Sequence, residues 1–143
     1  VGEACHFVDL LRFWAGAPIA SVHATYRGGD GQDAGRFVFE FADGSTGQIH
    51  YLTDLDPAVP KERFRISGAD WEVSIDNWTL CRGHGVAGFD RGGFWRSTPD
   101  KGHRWAVQAF LQAVATGAPA PIPLEELLEV ARWSIRMQSM PTS

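Results

Sequence analysis

Positive charge is in short supply in this sequence. Across 143 residues, 13 lysines and arginines face 17 aspartates and glutamates, for a net charge of −4. A nucleic-acid partner ordinarily demands a basic face, so none is expected. Cysteine is nearly absent. Cys5 and Cys81 form neither a Cys-x-x-Cys pair nor a zinc spacing. Both read as small buried hydrophobes of a protein kept in the reducing cytosol, and a cytoplasmic location is the expectation. No apolar run approaches the ~20 residues that a helix needs to cross a bilayer. No signal peptide stands at the start, so no membrane partner is expected either. The Gly-x-Ser-x-Gly elbow of a serine hydrolase is missing. His23, His50, His84 and His103 are scattered without a ligand pattern, and no metal site is expected.

What is present is the make-up of a folded domain, with hydrophobic residues at 44% and charged residues at 21%, the balance of a soluble globular chain. Phe7, Leu10, Leu11 and Trp14 recur at helical spacing, and Gly16 followed by Pro18 is a stop signal, so a helix is predicted from about Glu3 to Ala15. Strands follow at Ile19 to Tyr26, Arg36 to Phe41 and Thr46 to Leu52, the last two joined by the hairpin signal Asp43-Gly44. Phe37, Phe39 and Phe41 alternate with Arg36, Val38 and Glu40, which gives one face to the helices and the other to water or a second subunit. Arg63 to Ser67, Trp71 to Ile75 and Trp78 to Arg82 read as three shorter strands, with Asp76-Asn77 as a turn. A long glycine-rich loop is expected from Gly83 to Thr98. Thr98-Pro99 resembles a helix start, Val107, Phe110, Leu111 and Val114 form a second apolar stripe, and Leu124, Leu127, Leu128 and Ala131 open a third helix reaching about Met137. Hairpin turns rule out an all-parallel sheet. The expected class is α+β: one open, mostly antiparallel sheet with helices packed on one face. The chain opens on Val1 and enters a helix at once, so its natural N-terminus is expected further upstream.

A dinucleotide site needs Gly-x-Gly-x-x-Gly between a strand and a helix. Neither Gly28-Gly29-Asp30-Gly31 nor Gly92-Gly93 has that spacing or context. His6 is the main candidate for chemistry, with Glu3 three residues before it and Asp9 three after, all on or near one helical face. A carboxylate beside an imidazole fixes its tautomer, and such a histidine can take a proton from an alcohol as hydride leaves the same carbon. An ordinary amphipathic helix accommodates the same three residues. Lys101 and His103 stand where a helix begins and where anions are attracted; a solvated first turn has the same look. Arg91, Trp95 and Arg96 can line a sugar pocket, or tuck a surface loop down by its aromatics.

The segment Gly2-Glu3-Ala4-Cys5-His6-Phe7-Val8-Asp9-Leu10-Leu11, with Gly16 beyond it, resembles the start of the C-terminal domain in the Gfo/Idh/MocA oxidoreductases, the family of glucose–fructose oxidoreductase and inositol dehydrogenase. Phe41-Ala42-Asp43-Gly44-Ser45-Thr46-Gly47 resembles that domain's central hairpin, Phe64-Arg65-Ile66-Ser67-Gly68 a later strand, and Phe110 to Gly117 with Pro121-Ile122 its late helix and connector. The resemblance spans nearly the whole chain. It implies a substrate-binding and pairing domain that follows a Rossmann domain absent from this chain. It also implies NAD or NADP held by that missing domain, a sugar, sugar nucleotide or polyol as substrate, and a homo-oligomer formed through the sheet. His6 matches the family's catalytic histidine. The family carries an aspartate four residues earlier, where this sequence has Gly2, with Glu3 one position off. The family's catalytic lysine belongs to the Rossmann half. Two other readings of the residues stand beside this one: a non-catalytic carbohydrate-binding or assembly module, and a small hydrolase or isomerase using His6 with Asp9.

Overall fold

The structure is a computed structural model, and it describes residues 3–27, 34–89 and 93–140. In chain order its elements are α1 (Ala4–Ala15), β1 (Ile19–Arg27), β2 (Ala34–Phe41), β3 (Thr46–Tyr51), β4 (Arg63–Ser67), β5 (Glu72–Asp76), β6 (Leu80–His84), β7 (Phe94–Trp95), α2 (His103–Thr116) and α3 (Leu124–Gln138). The chain divides into two compact units, Val1–Asp54 with Ala113–Ser143, and Leu55–Gln112. The class is the expected α+β with antiparallel pairing throughout the described strands. The strands divide between two sheets, ordered β1-β2-β3 in the first unit and β4-β5-β6-β7 in the second. Pro57 and Pro60 stand in the stretch between β3 and β4, and proline has no N–H to give to a sheet ladder.

In the first unit the phenylalanine alternation does what the pleat requires. Phe37, Phe39 and Phe41 are buried with Ile49, Val8, Val130 and Met137. Arg36, Glu40, His23, Thr25, Gln48 and His50 lie exposed on the other face. Helices α1 and α3 pack on each other and on the sheet, α1 against β3 and α3 against β1. At Gly47 a Cβ would stand 3.0 Å from the methyl groups of Leu11, so any side chain there would make Leu11 shift where α1 meets β3. The β2–β3 hairpin turns at Gly44, whose φ is 85°, with Ser45 donating from its N–H and its hydroxyl to Asp43 Oδ1 at 3.0 and 2.7 Å.

Helix α1 presents a different face from the expected one. Its buried residues are Ala4, Val8 and Arg12. Phe7 and Leu11 are only partly covered, and Phe13 is 75% exposed. The stripe is rotated because Arg12 goes inward: Glu129 Oε2 accepts from its Nε at 2.9 Å, and Glu126 lies 3.5 Å from Nη2. Glu129 Oε1 also accepts from the backbone N–H of Ile19. One carboxylate thus ties α1, α3 and the start of β1 together. The stripe on α2 differs too. Val107, Phe110, Leu111 and Val114 are all exposed and Ala113 is the buried residue of that helix. Helical periodicity reports that a face is apolar; it does not say what covers it. No helix among the described residues is long and apolar enough to cross a membrane.

Candidate functional site

In the first unit, Gly16 at φ 65° ends α1 with its N–H donating to the Arg12 carbonyl at 3.1 Å. Glu3 is the residue before the helix and makes no capping hydrogen bond with its side chain. His6, Glu3 and Asp9 are all exposed, on the side of the helix away from Val8 and Arg12. Among the described residues no hydrogen bond or ion pair joins the three side chains, so the imidazole is open to a ligand and is not oriented by either carboxylate.

The second unit holds a cleft of about 270 Å³ lined by Ile75, Trp78, Thr79, Leu80, Cys81, Arg96 and Asp100. Its form follows from the β5–β6 hairpin. The N–H of Thr79 donates to the Asp76 carbonyl at 3.0 Å, and the two central residues have positive φ, 48° at Asn77 and 57° at Trp78, as a type I′ turn requires. Asparagine tolerates that backbone; tryptophan at the second position is where glycine normally stands. Glu62, just ahead of β4, holds the turn in place. Its carbonyl accepts from Asn77 N–H at 2.8 Å, its N–H donates to Asn77 Oδ1 at 3.0 Å, and its carboxylate accepts from the Trp78 indole N–H. The other carboxylate oxygen accepts from Lys101 Nζ at 2.7 Å. The Trp78 ring also rests against Phe64, with centroids 4.9 Å apart.

These contacts set the charge of Glu62. Burial pushes its pKa up, but hydrogen bonds from Lys101 and Trp78 and the nearby charges of Lys101 and Lys61 outweigh that and hold it below the usual glutamate value. A carboxyl whose pKa is lower folded than unfolded adds stability in full above the unfolded value, and that stability is lost as pH falls through the folded one. Urea unfolding followed down through the acid range should therefore show the native chain losing stability more steeply than Glu62→Gln. Parallel curves would mean that the clamp on Trp78 does not depend on the ionised carboxylate.

On the far wall, Arg96 Nη1 donates to Asp100 Oδ2 at 2.6 Å, while Asp100 Oδ1 accepts from Gly102 N–H at 3.0 Å. Arg96 N–H donates to the Thr79 carbonyl at 2.7 Å, which binds this segment to the hairpin. Burial pushes the Cys81 thiol pKa up, so the sulfur stays protonated and is a poor nucleophile.

The expected substrate residues thus separate. Arg96 lines the cleft. Trp95 sits on β7 opposite Leu80 and is 70% exposed, so the stretch expected as one loop carries a short strand. Lys101 is engaged by Glu62. His103 is exposed at the first position of α2, which begins there and not at Thr98-Pro99. Arg91 lies outside the described residues. Trp78, Thr79, Asp100 and Glu62 carry no local signal that sequence reasoning picks out. The sequence places Trp78 at the start of a strand; in the structure it belongs to the turn that Asp76-Asn77 announces.

No family model matches the chain, and no curated protein sequence does. Solved structures do share its fold. UDP-N-acetylglucosamine 3-dehydrogenase GnnA from Acidithiobacillus ferrooxidans superposes with a TM-score of 0.72 at 20% identity, over 95% of this chain and 44% of that one. The WlbA dehydrogenase from Bordetella pertussis, solved in complex with NADH and UDP-GlcNAcA, superposes with a TM-score of 0.53 at 18% identity, over 99% of this chain and 44% of that one. The chain therefore spans less than half the length of the dehydrogenases whose fold it shares.

Proposed function

We propose that this chain is the substrate-binding and subunit-pairing half of a Gfo/Idh/MocA-type oxidoreductase that acts on a sugar, sugar nucleotide or polyol, with UDP-linked amino sugars the first to try. The observation that carries this reading is the fold shared along 95% of the chain with a UDP-N-acetylglucosamine 3-dehydrogenase. More than half of that enzyme's length is left over for a cofactor domain. The chain's Gly-x-Gly-x-x-Gly run, Gly83 to Gly88, leaves strand β6 and is followed by strand β7, not by a helix, which is not the setting a dinucleotide needs. NAD or NADP is assigned to a preceding Rossmann domain. His6 takes the hydroxyl proton of the substrate, and its exposure on α1 leaves it free to do so. The polar face of the β1–β3 sheet is the surface for pairing with a second copy, and sedimentation of the chain at micromolar concentration checks this, a persistent monomer counting against it.

The competing reading, a non-catalytic binding or assembly module of the same fold, draws on Gly2 at the family's aspartate position and on the absence of a contact between His6 and either carboxylate. Turnover separates the two. The full-length protein, given UDP-linked amino sugars, free sugars or polyols with NAD⁺ or NADP⁺, should reduce the nicotinamide. A folded full-length protein that reduces neither cofactor with any of them is a binding module.

A further inference from the structure

We infer that the cleft between the β5–β6 turn and the Arg96–Asp100 segment binds the pyrimidine base of a nucleotide-linked substrate. The inference rests on the substrate class proposed above and adds the site that holds the base. At about 270 Å³ the cleft falls just below the roughly 300–1,000 Å³ of sites that enclose a whole drug-sized ligand. It has room for one ring system, not for a complete sugar nucleotide.

The groups on its walls select the ring. Ile75, Trp78, Leu80 and Cys81 offer apolar surface and one aromatic ring, and bases stack on aromatic side chains. Most polar atoms are already engaged. The Trp78 indole N–H goes to Glu62, and the two Asp100 oxygens take N–H groups from Arg96 and Gly102. Arg96 uses one side-chain N–H on Asp100, and its remaining guanidinium donors have no partner among the described residues. Thr79 Oγ1 donates to the Asp76 carbonyl at 3.1 Å, so its lone pairs remain to accept. A ligand that fits presents a flat face, carbonyl oxygens for Arg96 and a single N–H for Thr79. Uracil does so. Adenine brings an amino donor in place of a carbonyl, and a sugar ring brings several hydroxyls that need acceptors as well as donors.

The backbone supports the same conclusion. Trp78 is held at φ 57°, a conformation that glycine would adopt without cost in this turn. Strained residues that persist because their surroundings over-determine them gather at ligand clamps. Here Glu62 and Phe64 fix the indole before any ligand arrives, which lowers the ordering cost of binding.

Calorimetric titration of uridine into this chain is the test, with adenosine and N-acetylglucosamine as comparisons. The expected result is saturable uridine binding in the roughly millimolar range, with both comparisons at least tenfold weaker. Arg96 is exposed, so Arg96→Ala should keep the fold by circular dichroism and weaken uridine at least about tenfold, as loss of a charged donor implies. Trp78→Gly suits the turn and removes the stacking wall, so uridine binding should vanish; if that variant unfolds, Arg96→Ala decides. No saturation by uridine, equal binding of adenosine, or unchanged affinity in Arg96→Ala overturns the inference. Oxidation of a UDP-sugar by the full-length protein, with no uridine bound by this cleft, would sink this inference and leave the proposed function standing. Uridine binding with no turnover would do the reverse.

Discussion

Replacing Glu129 with alanine should cost about 3 kcal/mol of stability, a large share of the roughly 5–15 kcal/mol that holds a native domain together. Arg12 has only 9% of its side chain exposed, and Glu129 pairs with it at 2.9 Å. Removing the carboxylate strands a guanidinium among Val8 and its neighbours, and takes the acceptor away from the N–H of Ile19, itself buried. The figure sits at the low end of what breaking a buried pair costs. Glu126 stays 3.5 Å from Arg12, and Glu129 keeps 19% of its side chain in solvent. In urea the midpoint should fall while the slope is unchanged. The paired change Arg12→Met with Glu129→Gln should cost much less, because a buried ion pair replaced as a unit loses its desolvation penalty together with its attraction. A loss under about 1 kcal/mol for Glu129→Ala would put this bridge with exposed ion pairs.

That bridge also marks where the sequence stops being readable. The β2–β3 hairpin could be read directly: Asp43-Gly44 names the turn, and the spacing of Phe37, Phe39 and Phe41 names the buried face, because both signals are local and the pleat has a fixed period of two. The buried face of α1 could not be read in the same way. A hydrophobicity pattern treats Arg12 as a surface residue, and its partner lies 117 positions away in α3; nothing near either residue announces the pair. The apolar stripe of α2 was legible as a stripe, while its exposure was not, since that depends on what the chain packs against. In the cleft, Asp76-Asn77 signalled a turn. That Trp78 would share its left-handed backbone follows only from Glu62, whose main chain and carboxylate together hold the turn and the indole. Arg96 stands out in the sequence, but its pairing with Asp100 depends on the Thr79 carbonyl, which holds the segment against the hairpin.

His6→Asn in the full-length protein should lower turnover by about two to four orders of magnitude and leave the melting temperature almost unchanged. The two halves of this expectation rest on different observations. Stability should hold because His6 is exposed, and α1 is anchored by Ala4, Val8 and Arg12, none of which touches the imidazole's role. Asparagine and histidine also differ little in helix propensity. Turnover should fall because the oxidation of an alcohol releases a proton, and the histidine at the family's catalytic position is the group proposed to accept it. Only a side chain with a free nitrogen lone pair can do so, and the amide of asparagine offers none. Asp9→Asn and Glu3→Gln give a finer reading. Neither carboxylate meets His6 in the structure, so each should cost much less than His6→Asn unless substrate draws one of them onto the imidazole, in which case the loss should appear in kcat and not in KM. If His6→Asn unfolds the domain while the remaining folded protein turns over normally, His6 is a structural residue, and the proton acceptor must be sought outside this helix.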